Sequence, residues 1–256
     1  SILREAGAEV ALCLPFDVDK TFEIPHDLRF QDVQKEIKMA DMLICFGGDG
    51  TILHSSKIAT EHNLPILGVN IGTMGFIAEL EAGEIELLRK IPKGDYTVEE
   101  RTMLDVSVGN GRQTLFHETA LARVVQLGIY CDGIEATSYS GDGVILCTPT
   151  GSTAYSMSAG GPIVEPSAKN FLITPICAHA MLAKSIVVAP SRVVTVKVGK
   201  IGRHNAFLSV DGGRAFRLNT GDEITVKSSQ KVTRLVRLKN TSFFEILNRK
   251  FIEKMR

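Results

Sequence analysis

The sequence lacks several features that mark whole classes of protein. It has no tryptophan, only 6% aromatic residues and no excess of either charge, since 29 basic residues balance 29 acidic ones. General nucleic-acid and membrane-surface binders carry a basic excess, so we expect neither kind of partner. We also expect no signal peptide and no membrane span, because no apolar stretch is long enough to cross a bilayer. With 44% hydrophobic residues, the chain has enough apolar side chains for one large or two modest domains.

Cysteine is scarce and scattered. The five cysteines are odd in number, and no two of them form a C-x-x-C pair. We therefore expect reduced thiols in a cytoplasmic protein. Cys177 and His179 form a C-x-H pair without companions, so we expect Cys177 to serve core packing and predict no metal ligand in the chain.

The first half of the sequence alternates short apolar strands with helical stretches. The strands are predicted at Val10–Leu14, Met42–Phe46 and Ile66–Val69. This alternation is typical of a parallel sheet with helices on its faces, in which ligands bind beyond the carboxyl ends of the strands. Because "SILREAG" reads as the tail of a helix that ends at Gly7, we expect an earlier strand and half-helix to precede Ser1.

From about Tyr96 the pattern changes to two-residue periodicity with tight turns. Asp132-Gly133 and Asp211-Gly212 carry the Asp-Gly hairpin signal, which favours an antiparallel, sandwich-like β domain. The last residues, "NTSFFEILNRKFIEKMR", predict an amphipathic helix capped by Asn240 or Thr241.

The predicted architecture is therefore α/β plus all-β in two domains. The first, the α/β nucleotide-binding domain, comprises residues 1–95 and is joined by the returning C-terminal helix, 240–256. The second, residues 96–239, is the β-rich domain.

One candidate site is the glycine-rich turn "FGGDGTIL", which places Asp49 among glycines directly after a buried strand. It lacks the spacing of a P-loop, and Leu53 stands where a dinucleotide fingerprint needs its third glycine. A strand followed by GGDGT still favours a nucleotide site, with Thr51 capping the following helix and its free N–H groups facing an anion. The alternative is that Asp49 itself caps the helix and the glycines only turn the chain.

A second candidate site is "SGDGVILCTPTGSTAYSMSAGGPIVEPS", residues 140–167. It is rich in hydroxyl groups, and Tyr155 adds an aromatic face that can stack on a base. The hydroxyls belong to Thr150, Ser152, Thr153, Ser156 and Ser158. Since apolar segments frame this stretch, a ligand-facing surface is favoured over an exposed polar loop.

The two stretches together resemble the NAD kinase family. The resemblance rests on GGDGT followed by DG-x5-PTGSTAYS-x-S-x-GGP, and it extends over "LGVNIGTMGFIAEL" and "PICAHAMLAKSIVV" to nearly the whole chain. GGDGT is shared with lipid kinases and phosphofructokinases, so the PTGSTAYS segment is what makes the match specific.

The resemblance implies an activity. NAD kinases transfer the γ-phosphoryl of ATP, or of polyphosphate in some members, to the 2′-hydroxyl of the adenosine ribose of NAD. They use Mg²⁺ or another divalent cation and tend to form homodimers or homotetramers. By similarity Asp49 is the general base, with Gly50 contributing backbone beside it. A positioned carboxylate suits this role, because a ribose hydroxyl is a poor nucleophile until its proton is removed.

The resemblance also assigns the contacts to NAD. The adenine, ribose and nicotinamide ends are expected to meet Asp142, Thr153, Ala154, Tyr155 and Ser158, with Ser156 beside them. Asp211 lies in the hairpin where relatives often have an aspartate.

Two positions depart from the family pattern. His54 stands where relatives often carry Arg or Lys near the phosphates, and it is either a phosphate contact or a solvent-facing helix residue. In "LFHETAL", His117 and Glu118 align with an Asn-Glu pair that contacts the ribose and adenine. We expect Glu118 to accept a ribose hydroxyl and His117 to replace the asparagine as a donor and acceptor. Alternatively, the alignment is shifted and His117 is only a strand residue.

Two other functions compete with the NAD kinase reading. A lipid kinase of the diacylglycerol or sphingosine type shares GGDGT and a β-rich second domain. A non-catalytic NAD(P)-binding sensor would share the fold without the reaction.

Overall fold

The computed structural model describes residues 2–14, 30–72, 75–109, 112–116, 118–122, 125–179, 183–201 and 205–254, with backbone alone for 112–116, 118–122 and 253–254. The chain divides into two units, Ser1–Glu100 with Thr233–Arg256, and Arg101–Val232. The boundaries between the units fall inside the strands Thr97–Val108 and Glu223–Arg237. The predicted domain limits, after residues 95 and 239, lie in the loops beside these strands. Among the described residues, no helix has the length and apolar character needed to cross a membrane.

The first unit contains a parallel sheet with helices, as predicted. Its elements are α1 (Ile2–Glu5), α2 (Val33–Glu36), β1 (Leu43–Phe46), α3 (Asp49–Glu61), β2 (Pro65–Asn70), β3 (Leu80–Glu81), a 3₁₀ helix (Ala82–Lys93) and, at the C-terminus, α5 (Phe243–Lys254). Strand β2 runs parallel to β1, with Leu43 opposite Ile66, and parallel to β3, with Val69 opposite Leu80. The prediction of a strand at Val10–Leu14 is wrong. In that stretch only Cys13 pairs with another residue, Gln31, and one isolated bridge does not make a strand.

Helix α3 packs on the sheet through its apolar face. Ile52 and Ala59 are each 1% exposed and join a cluster with Cys45 and Ile66. Gly68 in β2 makes this packing possible, because a Cβ at that position would overlap with Cδ1 of Ile52.

The C-terminal helix α5 belongs to the first unit, as predicted, but its cap differs. The Oγ of Ser242 accepts from the backbone N–H of Glu245 at 3.2 Å, and the Glu245 carboxylate accepts from the N–H of Ser242 at 2.7 Å. These two bonds form a capping box, so the predicted caps Asn240 and Thr241 are wrong. The backbone hydrogen bond from Ser242 holds the pKa of Glu245 below its usual value.

The second unit consists of two antiparallel sheets. Its strands are the second part of β4 (Thr97–Val108), β5 (Arg112–Phe116), β6 (Glu118–Ala122), β7 (Val125–Cys131), β8 (Ile134–Gly141), β9 (Gly143–Cys147), β10 (Phe171–Ile176), β11 (Ile186–Val188), β12 (Val193–Val198), β13 (Ala206–Val210), β14 (Phe216–Leu218) and the first part of β15 (Glu223–Arg237). In one sheet the strands of this unit include the run β15-β12-β7-β8, with β4 pairing with both β15 and β5. The other sheet has the order β11-β10-β9-β6-β13-β14.

Asp-Gly turns connect strands in both sheets, as the sequence predicted. Asp132 and Gly133 have φ angles of 51° and 82°, and Asp211 and Gly212 have 45° and 67°. Positive φ at both central residues is the geometry of a type I′ turn, whose twist matches that of the flanking strands.

The core of the second unit lies between its two sheets. It is built from alternate residues of strands on both sides, among them Leu127, Ile129, Val144, Leu146, Phe171, Ile173, Val194 and Val196. Alternate residues of two sheets that meet in one core are the pattern of a β-sandwich. The predicted fold class, α/β followed by antiparallel β, is confirmed.

Candidate nucleotide site

Asp49 is the first residue of helix α3, directly beyond the carboxyl end of β1. Gly48 is the N-cap residue and offers no side chain to the helix N-terminus. Neither predicted cap therefore forms: Thr51 lies within the helix, and the Asp49 carboxylate bonds elsewhere. Gly47 lets the turn close on α3, since a Cβ there would lie 2.6 Å from Cβ of Thr51.

The Asp49 carboxylate is held by the backbone of a distant segment. Its Oδ2 accepts from the N–H of Phe76 at 2.6 Å, and its Oδ1 accepts from the N–H of Ile77 at 3.1 Å. A carboxylate has about four acceptor positions, so two remain for a ligand hydroxyl. The sequence reading missed Phe76 and Ile77, although the glycine in "GTMGF" was a usable signal.

Gly75 explains why that segment comes so close. A Cβ at Gly75 would overlap with the Asp49 carboxylate, so only glycine allows the observed approach. Next to it, the Lys250 ammonium of α5 lies 3.6 Å from the centre of the Phe76 ring. This cation–π contact ties α5 to the segment that holds Asp49.

Two further predicted residues follow Asp49 on α3. Gly50 is exposed and has open space around the position of a Cβ. The His54 side chain is also exposed. Both are open to solvent in the first unit, and their contact with phosphates stays a prediction.

In the second unit, the PTGSTAYS segment, residues 149–156, follows the carboxyl end of β9. It forms a 3₁₀ turn, Gly151–Thr153, and begins the short helix α4 (Tyr155–Ser158). Local hydrogen bonds hold its hydroxyls: Ser152 donates to the carbonyl of Pro149 at 2.6 Å, and Thr153 donates to that of Thr150 at 3.2 Å.

Ser156 is the buried residue of α4. Its side chain is fully buried, and its Oγ lies 2.9 Å from Oγ1 of Thr174 in β10. This hydrogen bond anchors α4 to the sheet, and a contact between Ser156 and NAD stays a prediction. The neighbouring candidates Ala154, Tyr155 and Ser158 are exposed.

Strand register brings several candidates to one end of the six-stranded sheet. Glu118 pairs with Cys147, the last residue of β9, so its backbone lies beside the start of the PTGSTAYS segment. Val210 pairs with Thr119, which places Asp211 one residue further towards the same end. His117 lies outside the described residues.

Asp142 lies at the other end of β9. Its backbone N–H donates to the carbonyl of Ile176 at 3.0 Å, and its side chain hydrogen-bonds the Cys177 thiol. This hydrogen bond and the Asp142 charge raise the pKa of the Cys177 thiol. Cys177 is exposed and has a φ of 44°, so its predicted role in core packing is wrong.

No group of three or more His, Cys, Asp and Glu that could hold a metal ion occurs in the part of the chain that the structure describes. Mg²⁺ commonly binds through one or two carboxylates together with substrate phosphates and waters.

Sequence comparison identifies the chain's relatives. The model of the ATP-NAD kinase N-terminal domain matches residues 19–96, and that of the C-terminal domain matches residues 113–238. The NAD kinase of Natranaerobius thermophilus is 41% identical over 230 residues, covering 86% of this chain and 79% of the relative. The NAD kinase of Carboxydothermus hydrogenoformans is 39% identical over 233 residues, covering 87% and 83%.

Solved structures agree with these matches. Yeast NADH kinase complexed with NADH has a TM-score of 0.77 at 30% identity, over 88% of this chain and 69% of that one. An NAD kinase from Archaeoglobus fulgidus in complex with ATP has a TM-score of 0.70 at 29% identity, over 84% of each chain. The chain belongs to the NAD kinase family.

Proposed function

We propose that this chain transfers the γ-phosphoryl of ATP to the 2′-hydroxyl of the adenosine ribose of NAD, forming NADP, with Asp49 as the general base. The observation that carries the proposal is the Asp49 carboxylate, held by two backbone amides with acceptor capacity left over. The names of its relatives and the NADH and ATP complexes of its structural neighbours support the same reaction.

The proposed step has a simple balance. Asp49 accepts the proton of the 2′-hydroxyl as that oxygen forms its bond to the γ-phosphorus. The bond from the γ-phosphorus to the bridging oxygen breaks, and ADP leaves. Phosphoryl transfer depends mainly on positioning and charge stabilisation, so a base fixed by backbone amides suits it.

The divalent cation would be held mainly by the ATP phosphates, and Mg²⁺ would neutralise charge on them during transfer. Gly50 and His54, which follow Asp49 on α3, are the proposed phosphate neighbours. Because His54 is exposed, its side chain is free to turn towards an anion.

Residues of the second unit are the proposed NAD contacts. The end of the six-stranded sheet that carries Glu118 and Asp211 also carries the PTGSTAYS segment. The exposed ring of Tyr155 supplies a stacking face, and the nearby Ser158 supplies a hydroxyl. Thr153, Ala154, His117 and Asp142 complete the proposed set. The family resemblance further supports a cytoplasmic protein that forms a homodimer or homotetramer. Sedimentation equilibrium of the purified protein tests the oligomeric state.

The direct test is NADP formation by the purified protein. Incubation with NAD, Mg²⁺ and either ATP or polyphosphate is expected to add one phosphate to NAD, detected by mass spectrometry. Diacylglycerol serves as the control acceptor and should stay unmodified. Phosphorylation of the lipid instead would favour a lipid kinase, and NAD binding without NADP formation would favour a sensor.

A further inference from the structure

The segment that holds Asp49, residues 75–79, is itself held by a charged pair, the buried Glu79 and the half-buried Arg237. We propose that these two are positioning residues, which fix the backbone of Ile77 and, through its amide, the Asp49 carboxylate in its reacting orientation. The proposal rests on the proposed role of Asp49.

The Glu79 side chain is buried, with only 6% of its surface exposed. Its Oε1 accepts two backbone N–H groups, those of Leu238 at 2.9 Å and Lys239 at 2.8 Å. Its own backbone N–H donates to the carbonyl of Gly68 in β2 at 2.9 Å. The residue thus joins the end of the Asp49-holding segment to the parallel sheet and to the chain that leads towards α5.

Arg237 completes the pair and reaches one residue closer to the site. Its Nη1 donates to Oε2 of Glu79 at 3.1 Å and to the carbonyl oxygen of Ile77 at 3.4 Å. Its Nε donates to the Glu99 carboxylate at 2.8 Å. The planar guanidinium can satisfy all three acceptors at once, which a lysine ammonium in the same space cannot do with the same geometry.

Ile77 is where this network meets the candidate base. Its carbonyl oxygen accepts from Arg237, and its N–H donates to Asp49. Both polar groups of one backbone residue are therefore used, one towards the charged pair and one towards the carboxylate. Movement of Glu79 or Arg237 changes the direction of the N–H that orients Asp49, and small misplacements in such a site are costly for the rate.

The principal test is Glu79→Gln with Glu84→Gln as the matched control. A glutamine at position 79 must turn its NH₂ group either towards the two backbone N–H groups or towards Arg237, so at least one donor loses its acceptor. Glu84 also bonds the chain leading to α5, accepting from Nζ of Lys239 at 2.7 Å, but it has no bond to Ile77. The control removes a comparable charge from the same part of the unit.

For Glu79→Gln we expect kcat to fall by about tenfold to 10²-fold while KM for NAD and ATP stays within about twofold. For Glu84→Gln we expect kcat within about twofold of the wild type. In an Asp49→Asn background, Glu79→Gln should change kcat by less than about twofold, because it acts through Asp49.

Arg237→Lys provides a second variant that keeps the positive charge. It should reproduce the loss of kcat, since an ammonium lacks the planar fork. Amide hydrogen exchange gives a readout that does not depend on turnover. The Phe76 and Ile77 amides should exchange about tenfold faster in Glu79→Gln and Arg237→Lys than in the wild type. Their exchange rates should be unchanged in Glu84→Gln.

The outcomes separate this proposal from the proposed function. If the wild type makes no NADP, the function fails, while the exchange rates still test the positioning. If Asp49→Asn is impaired but Glu79→Gln keeps wild-type kcat and amide exchange, the positioning role is overturned. Equal losses of kcat in Glu79→Gln and Glu84→Gln also overturn it, since they indicate only a general loosening.

Discussion

The glycine-rich turn that carries Asp49, residues 46–53, and the PTGSTAYS segment begin alike but use their hydrogen-bonding groups differently. Each follows a strand and contains glycine and polar residues. Asp49 bonds to amides 27 and 28 residues away along the chain. In the PTGSTAYS segment, Ser152 and Thr153 each donate to a carbonyl only three residues away.

The difference shows how a polar residue becomes available for chemistry. Distant amides orient the Asp49 carboxylate yet leave lone pairs for a ligand, because a carboxylate accepts more bonds than two amides supply. A hydroxyl has one proton, and Ser152 and Thr153 use theirs on nearby carbonyls. The exposed side chains of Tyr155, in the segment, and Ser158, two residues beyond it, are therefore better candidates for ligand contact than the buried hydroxyls of the segment.

The largest expected effect comes from removing the carboxylate of the first region. Asp49→Asn should lower kcat by roughly 10²- to 10⁴-fold, because the amide cannot act as a base. Steady-state NADP formation measures the change, with circular dichroism and NAD calorimetry checking that fold and binding persist. Turnover within about threefold of the wild type would remove Asp49 from the role of base.

The next effect tests the exposed face of the second region. Tyr155→Ala should raise KM for NAD by about 5- to 150-fold, the equivalent of roughly 1–3 kcal/mol of stacking, with a smaller change in kcat. Tyr155→Phe is the control and should keep KM near the wild-type value, because the ring remains. A fall in kcat with unchanged KM would count against stacking.

A matched pair of serines compares the buried and exposed faces of α4. Ser156→Ala should lower the free energy of unfolding by about 1–3 kcal/mol, because the buried Thr174 hydroxyl loses its partner. Ser158→Ala, at an exposed position, should change it by less than about 0.5 kcal/mol. Urea denaturation measures both. Equal stability of the two variants would refute the anchoring role of Ser156.

The smallest effect concerns Asp142 at the far end of β9. Because Asp142 raises the pKa of the Cys177 thiol, less thiolate is present at pH 8 than for an ordinary cysteine. Asp142→Asn should lower that pKa and speed iodoacetamide labelling of Cys177 by about two- to tenfold, read by peptide mass spectrometry. Labelling of Cys131 in the same sample is the control. An unchanged Cys177 rate would show that the carboxylate does not control the thiol.

The sequence predicted elements well where a local signal exists. The strand, glycine turn and helix around Asp49, and the two Asp-Gly turns, follow from patterns that span only a few residues. The sequence-based prediction failed at Val10–Leu14, where the apolar run forms a single bridge, from Cys13 to Gln31, and no strand. It also chose the wrong cap for α5, since Asn240, Thr241 and Ser242 are all good caps and neighbouring positions differ little in propensity.

By itself, the sequence determined the family, the order of parallel and antiparallel halves, and the identity of the candidate base. Only the tertiary structure decided which hydrogen-bond partners within the protein each polar group has. Ser156 meets Thr174, 18 residues away, and Asp49 meets Ile77, which Arg237 holds from a further 160 residues along the chain. The physical reason is that periodicity records which face of an element is buried, whereas hydrogen-bond partners distant in sequence become neighbours only when the chain folds.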